Sequence, residues 1–323
     1  MVGCRNGVSA LLKNDQPCLV TLHCMAHILE LSLKDAAKNV KLYEKTISTL
    51  TMGLYYFYHN SPLNRAMLRR SYAAAVKSDD GDTDKLMMPT RAGGTRWIGH
   101  VLGAMSNLIT SYKFIVTHLG QLTEPVERVS VNSKGRAHAF LKLLQSKDLV
   151  CFLMFLKNVL EPLCLLSLQL QDRTSTISKQ YSALSSTLEV LGKYKTSDGP
   201  NLRKVVEKNE FQGVSLKWCN IQEFKAARVK LLDLLIVAID KRFKEFCSDD
   251  HSVVLATRIA DLDIWPKTWE SLKDFGDKDL QTVIDHFEPI LRPVIDVSNA
   301  ELEWMLIKKN VRVVSIWFKT DNQ

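Results

Sequence analysis

The chain has 323 residues, 46% hydrophobic and 24% charged, enough apolar material for one large core or two modest ones, which excludes a largely disordered protein. No uninterrupted apolar run reaches the roughly 18–20 residues of a bilayer span, and residues 1–13 lack a signal-peptide core, so a soluble, non-secreted protein is expected. The net charge of +8 lies entirely in the first half: residues 1–150 hold 19 Lys and Arg against 11 Asp and Glu, and the remainder holds 24 of each. A basic half suits contact with phosphates, which release counterions when neutralised, although many soluble proteins are as basic without touching nucleic acid.

In chain order, residues 18–22 form a short β-prone run after Pro17, leading into a helix over 24–40 on which Met25, Ile28, Leu29, Leu31, Leu33 and Ala36 approximate one face. Residues 43–58 are amphipathic. Ser61-Pro62 supplies a cap and a proline at the first helical position for the basic segment 64–77. An acidic loop (78–84) and a glycine-containing loop (89–95) precede a helix over 97–118. Pro125 marks a boundary within 120–135, and helices are expected over 136–145, 148–171, bent or restarted at Pro162, and 174–195. The stretch 222–246 is the clearest amphipathic helix, a core element by its stripe of Phe224, Val229, Leu232, Leu235, Ile236, Ile239, Phe243 and Phe246. Shorter helices over 277–287 and 298–309 lead to a β-leaning run, 311–318.

Chemistry concentrates at few places. Seven cysteines, an odd number without a CxxC pair, argue for reduced thiols in a cytosolic or nuclear compartment. Cys24 and His27 would share a helical face and are the candidate metal ligands, but no second Cys/His pair follows at finger spacing, so no metal or other cofactor is expected. A Cys–His nucleophile would need an orienting group that the sequence does not identify, and a packed helix start is the better account of these residues. Arg96-Trp97, after Gly93-Gly94-Thr95, joins a phosphate-binding guanidinium to a stacking surface, but on physical grounds alone a helix start with Trp97 buried is the favoured account of the pair. Asp79, Asp80, Asp82 and Asp84 read as a solvated loop.

Taken in order, Asn6-Gly7-Val8-Ser9-Ala10-Leu11-Leu12-Lys13, Leu22-His23-Cys24-Met25-Ala26-His27 and Thr95-Arg96-Trp97 resemble segments of the hAT (hobo/Activator) transposases, in particular their vertebrate domesticated group. Leu160-Glu161-Pro162-Leu163, Leu166-Ser167-Leu168-Gln169-Leu170-Gln171, Ile264-Trp265-Pro266, Phe275-Gly276-Asp277 and Glu301-Leu302-Glu303-Trp304 are similar to that group's helical region. The resemblance covers nearly the whole chain. It implies a mainly α fold, with a helical insertion domain (136–323) attached to a remnant of an RNase H-like α/β core that carries the basic segment and the TRW element (1–135). In that family two Asp and one Glu hold divalent cations for phosphoryl transfer. Both Asp are expected ahead of this chain and the Glu beyond Phe318, while Glu127-Arg128-Val129-Ser130 imitates the Glu motif out of order. The resemblance therefore implies a truncated, catalytically inactive, nuclear protein that binds DNA through Arg96, Trp97, Arg69, Arg70 and Arg91, with other nuclear proteins as further partners. No oligomer is expected without the family's dimerisation segment. The alternative is a helical protein-interaction scaffold, from about residue 136 onward, that ignores DNA.

Overall fold

The computed structural model describes residues 7–78, 85–94, 96–124, 129–218, 220–244 and 251–320. Helix dominates. Helix α1 (Val8–Asp15) leads through an irregular segment to α2 (Met25–Ala37), and α3 (Lys41–Glu44) continues through a π-helical stretch, Lys45–Thr51, into α4 (Met52–His59). Two threonines mark the wide turn: Thr46 Oγ1 donates to the Leu42 carbonyl at 2.7 Å, and Thr51 Oγ1 to the Thr46 carbonyl, five residues back, at 2.8 Å. Helix α5 (Pro62–Ser78) starts as its sequence dictates, the Asn64 amide donating to Ser61 Oγ at 3.2 Å. The acidic residues 79–84, together with Thr95 and Glu127-Arg128, lie outside the described residues.

The helix expected over 97–118 is two, α6 (Trp97–Thr110) and α7 (Tyr112–Thr123), broken at Ser111. Ser111 is buried, and its Oγ accepts the Met87 amide at 2.6 Å, so the break serves to anchor the segment 85–94. Ser130 caps α8 (Val131–Leu144), accepting the Ser133 amide at 3.2 Å. Then come α9 (Lys147–Gln169), which runs through Pro162 without restarting, α10 (Ile177–Lys193) and α11 (Pro200–Arg203). A hairpin, β1 (Glu210–Phe211) and β2 (Val214–Ser215), turns at Gln212 and Gly213, whose φ angles of 49° and 76° are those a two-residue hairpin turn demands. Beyond it lie α12 (Ile221–Lys244), α13 (His251–Ala256), two 3₁₀ turns (Thr257–Ala260 and Leu262–Ile264), α14 (Trp269–Leu272), α15 (Asp277–Leu291), a third 3₁₀ turn (Val297–Asn299) and α16 (Ala300–Thr320).

The fold is mainly α, and β1–β2 is the one sheet among the described residues. Both β-leaning runs differ from expectation. Residues 18–22 belong to no strand; Leu19 instead closes a turn on the Gln16 carbonyl at 2.9 Å. Residues 311–318 continue α16, because extending a helix already nucleated is favourable even through β-branched residues.

Two units, each assembled from separate stretches of the sequence, make up the chain. The larger comprises residues 26–168 and 185–240. Its centre is α9, where Leu149, Val150, Phe152, Leu153, Leu156, Val159, Leu160 and Leu163 are all fully buried. By length and composition alone α9 could cross a membrane, but most of it is buried in this unit. Arg228 of α12 ties down the end of α10: Nε donates to the Tyr194 carbonyl at 2.7 Å, one terminal nitrogen to the Ser197 carbonyl at 2.6 Å and the other to Asp198. The smaller unit comprises residues 1–25, 169–184 and 241–323. Ile259, Trp265, Leu272 and Trp304 form its core, with the indoles of Trp265 and Trp304 edge to face at 5.2 Å. Lys308, whose side chain is wholly buried, donates to the Lys273 carbonyl at 2.5 Å and to Asp277 Oδ1 at 2.6 Å, while the Trp304 indole N–H reaches the same carboxylate at 3.0 Å. Segments 264–266, 275–277 and 301–304, far apart in sequence, thus meet in one small core.

Candidate functional site

Helix α6 begins at Trp97 with Arg96 as its N-cap residue. Arginine offers no acceptor oxygen, and the first turn of α6 contains no acid. That first turn is served from elsewhere: Glu30 of α2 accepts the Ile98 N–H at 3.0 Å, with the Trp97 amide also lowering its pKa. The carboxylate is half-buried, and that burial raises its pKa above the usual range against the opposing pull of the two amides and of His27 and His100.

Around this junction the side chains are of several chemical types. Trp97 is half-buried, its ring centroid 6.2 Å from that of Tyr43 at an inclination of 48°. Tyr43 is 5% exposed, its hydroxyl has no hydrogen-bond partner, and burial, seconded by the Glu30 charge, pushes its ionisation well above the ordinary tyrosine value. Burial and Glu30 together also raise the Cys164 thiol. His27 on α2 and His100 on α6 are exposed, as is Arg96. Gly94 lies close against His100: a Cβ there would run into the imidazole ring. The arrangement can present a guanidinium and a partly accessible indole from one helix start, held by a carboxylate on another helix.

Two elements read separately in the sequence, the His27 region and Arg96-Trp97, therefore meet through Glu30. The other expected residues stand apart. Arg69 and Arg70 are exposed on α5, and Arg91 is exposed between Thr90, whose Oγ1 accepts from Asn107 Nδ2 at 3.1 Å, and buried Ala92. Among the described residues none of the four arginines forms an ion pair, and no hydrogen bond, ion pair or ring contact links the α5 arginines to the start of α6. Cys24 precedes α2 and is exposed, like His27. Among the described residues no three His, Cys, Asp or Glu side chains gather into a group that could hold a metal ion. Sequence reading missed Glu30 and His100. The signal for a missing partner was present, a helix start without a capping residue, but nothing local says which distant acid fills it.

No family model matches the chain, and no solved structure matches it.

Proposed function

We propose that the chain is a non-enzymatic, transposase-derived nucleic-acid-binding protein of the hAT type, acting in the nucleus, its basic first half bearing what is left of an RNase H-like core. The observation that carries this reading is the junction at Glu30, where the His27 helix and the Arg96–Trp97 helix start are joined. It joins two of the segments on which the family resemblance rests. Arg96 would meet backbone phosphate and Trp97 would support an unpaired or distorted base, while Arg69, Arg70 and Arg91 add sequence-independent charge.

Fluorescence anisotropy of the full chain with single-stranded and duplex oligonucleotides, titrated with NaCl, tests it. Arg96→Ala should weaken binding and lower the slope of log K against log[salt] by about one. Absence of binding at low ionic strength, salt-independent binding, or metal-dependent strand cleavage by the purified chain would each overturn the reading. A second reading, a helical protein-interaction scaffold, draws on Leu165 and Leu168 of α9 and Val229 and Val237 of α12, large apolar side chains left exposed.

A further inference from the structure

We propose that Glu30 is the positioning residue of the Arg96–Trp97 element: reaching from α2, it fixes the first turn of α6 and so sets where the indole and guanidinium stand when nucleic acid arrives. The inference rests on the function proposed above and deepens it. A carboxylate is an odd neighbour for a phosphate-binding arginine, since its charge repels the ligand. Its place in the structure explains its presence. The first turn of α6 holds no acid, Arg96 cannot cap it, and Glu30 supplies the acceptor across 68 positions of sequence. A charged acceptor at a helix N-terminus is favoured both by the helix dipole and by the strength of a charge-assisted hydrogen bond.

The contacts run directly to the residues at issue. Ile98, next to Trp97, is the bonded amide, so the bond constrains the backbone that carries the indole. The Tyr43 ring lies against that indole, and Ile98, the next residue, is fully buried. Trp97 is thus held through the first turn of α6 by α2 and flanked at its ring by α3, while part of the ring remains open. Loss of Glu30 releases only the first of these restraints, which leaves the helix intact and its first turn free to fray.

Glu30→Gln and Glu30→Ala separate geometry from charge. Glutamine keeps an acceptor oxygen and removes the repulsion; alanine removes both. In oligonucleotide titrations of the full chain, Trp97→Ala should weaken binding by about tenfold, as expected for loss of one stacked base. Glu30→Ala should lose a similar factor, and the double variant should lose about tenfold rather than the ~100-fold of independent sites. Glu30→Gln should bind as tightly as the native chain or up to a few-fold more tightly. A merely structural Glu30 would give additive losses, and additive losses overturn the proposal, as does native affinity in Glu30→Ala. Hydrogen–deuterium exchange at the start of α6 supplies a readout without ligand: protection should fall in Glu30→Ala and persist in Glu30→Gln. If the native chain binds no nucleic acid, the function proposed above falls, and the exchange data alone decide whether Glu30 positions Trp97.

Discussion

At the scale of single residues, the buried polar groups have the largest consequences. His118 on α7 is 1% exposed; its Nδ1 shares a hydrogen bond of 3.0 Å with the Tyr58 hydroxyl, and its Nε2 has no partner. Burial disfavours the imidazolium and lowers the pKa from 6.5 to about 4. Above pH 6.5 the histidine is neutral in both folded and unfolded chains and contributes no pH dependence. Between 6.5 and about 4 the unfolded chain takes up a proton that the folded one refuses, so stability falls as the pH falls. The loss at pH 4 is on the order of 3 kcal/mol. Urea unfolding at pH 7.5, 5.5 and 4.5 should show it, and His118→Asn, which keeps a polar atom near Nδ1 but does not titrate, should have a flatter profile. A variant with the native pH profile would sink this account. His118 and Glu30 illustrate what a sequence hides: each is bonded to a partner sixty or more residues away in the chain and is shaped by burial, whereas Arg96 and Trp97 are legible because they are adjacent.

At the scale of elements, periodicity located most of the helices, and capping chemistry placed the start of α5. What stayed hidden has local physical causes. Ser111 breaks a continuous apolar stripe for the sake of a tertiary hydrogen bond, and the hairpin at Gln212-Gly213 lacks the Asn-Gly pair that usually announces such a turn. Residues 311–318 have β-branched composition but follow a formed helix. Pro162 is the most informative case. It sits inside α9, where proline removes an amide hydrogen bond and crowds the carbonyl four residues back, that of Asn158. The Asn158 side chain, meanwhile, holds α11: its Oδ1 accepts from the Asn201 amide at 2.9 Å and from Asn201 Nδ2 at 3.0 Å. Packing around α9 thus outweighs the local penalty. Pro162→Ala should stabilise the chain by between about 1 and 3 kcal/mol, the cost of proline in a helix interior, as read by urea denaturation. Destabilisation instead would mean that the proline shapes the α9–α11 contact.

At the scale of the whole molecule, the interleaving of the two units decides how the protein can be divided. A cut at residue 135, between the basic first half and the helical remainder, follows composition, and contacts within the larger unit cross it. Within the larger unit, Tyr112 of α7 donates to the Leu144 carbonyl of α8 and packs edge to face on Phe211 of β1 at 4.9 Å. Phe57 of α4 meets Phe140 of α8 at 5.7 Å, and Ser32 of α2 donates to the Ala238 carbonyl of α12 at 3.3 Å. The smaller unit likewise draws on the early chain, His286 of α15 sharing a hydrogen bond of 3.0 Å with the Cys18 carbonyl. A fragment spanning residues 136–323 would keep α9 and lose α2 to α7, uncovering apolar surface from a helix that is buried on nearly every side. It should therefore retain helical circular dichroism but melt without a cooperative transition and self-associate, while the full chain melts cooperatively. Cooperative unfolding and dispersed amide resonances from the isolated fragment would show instead that residues 136–323 form a domain. In the expected case, the scaffold reading has to be tested with surface substitutions such as Leu165→Lys in the intact chain, because a partner captured by an uncovered core would report exposure and not recognition.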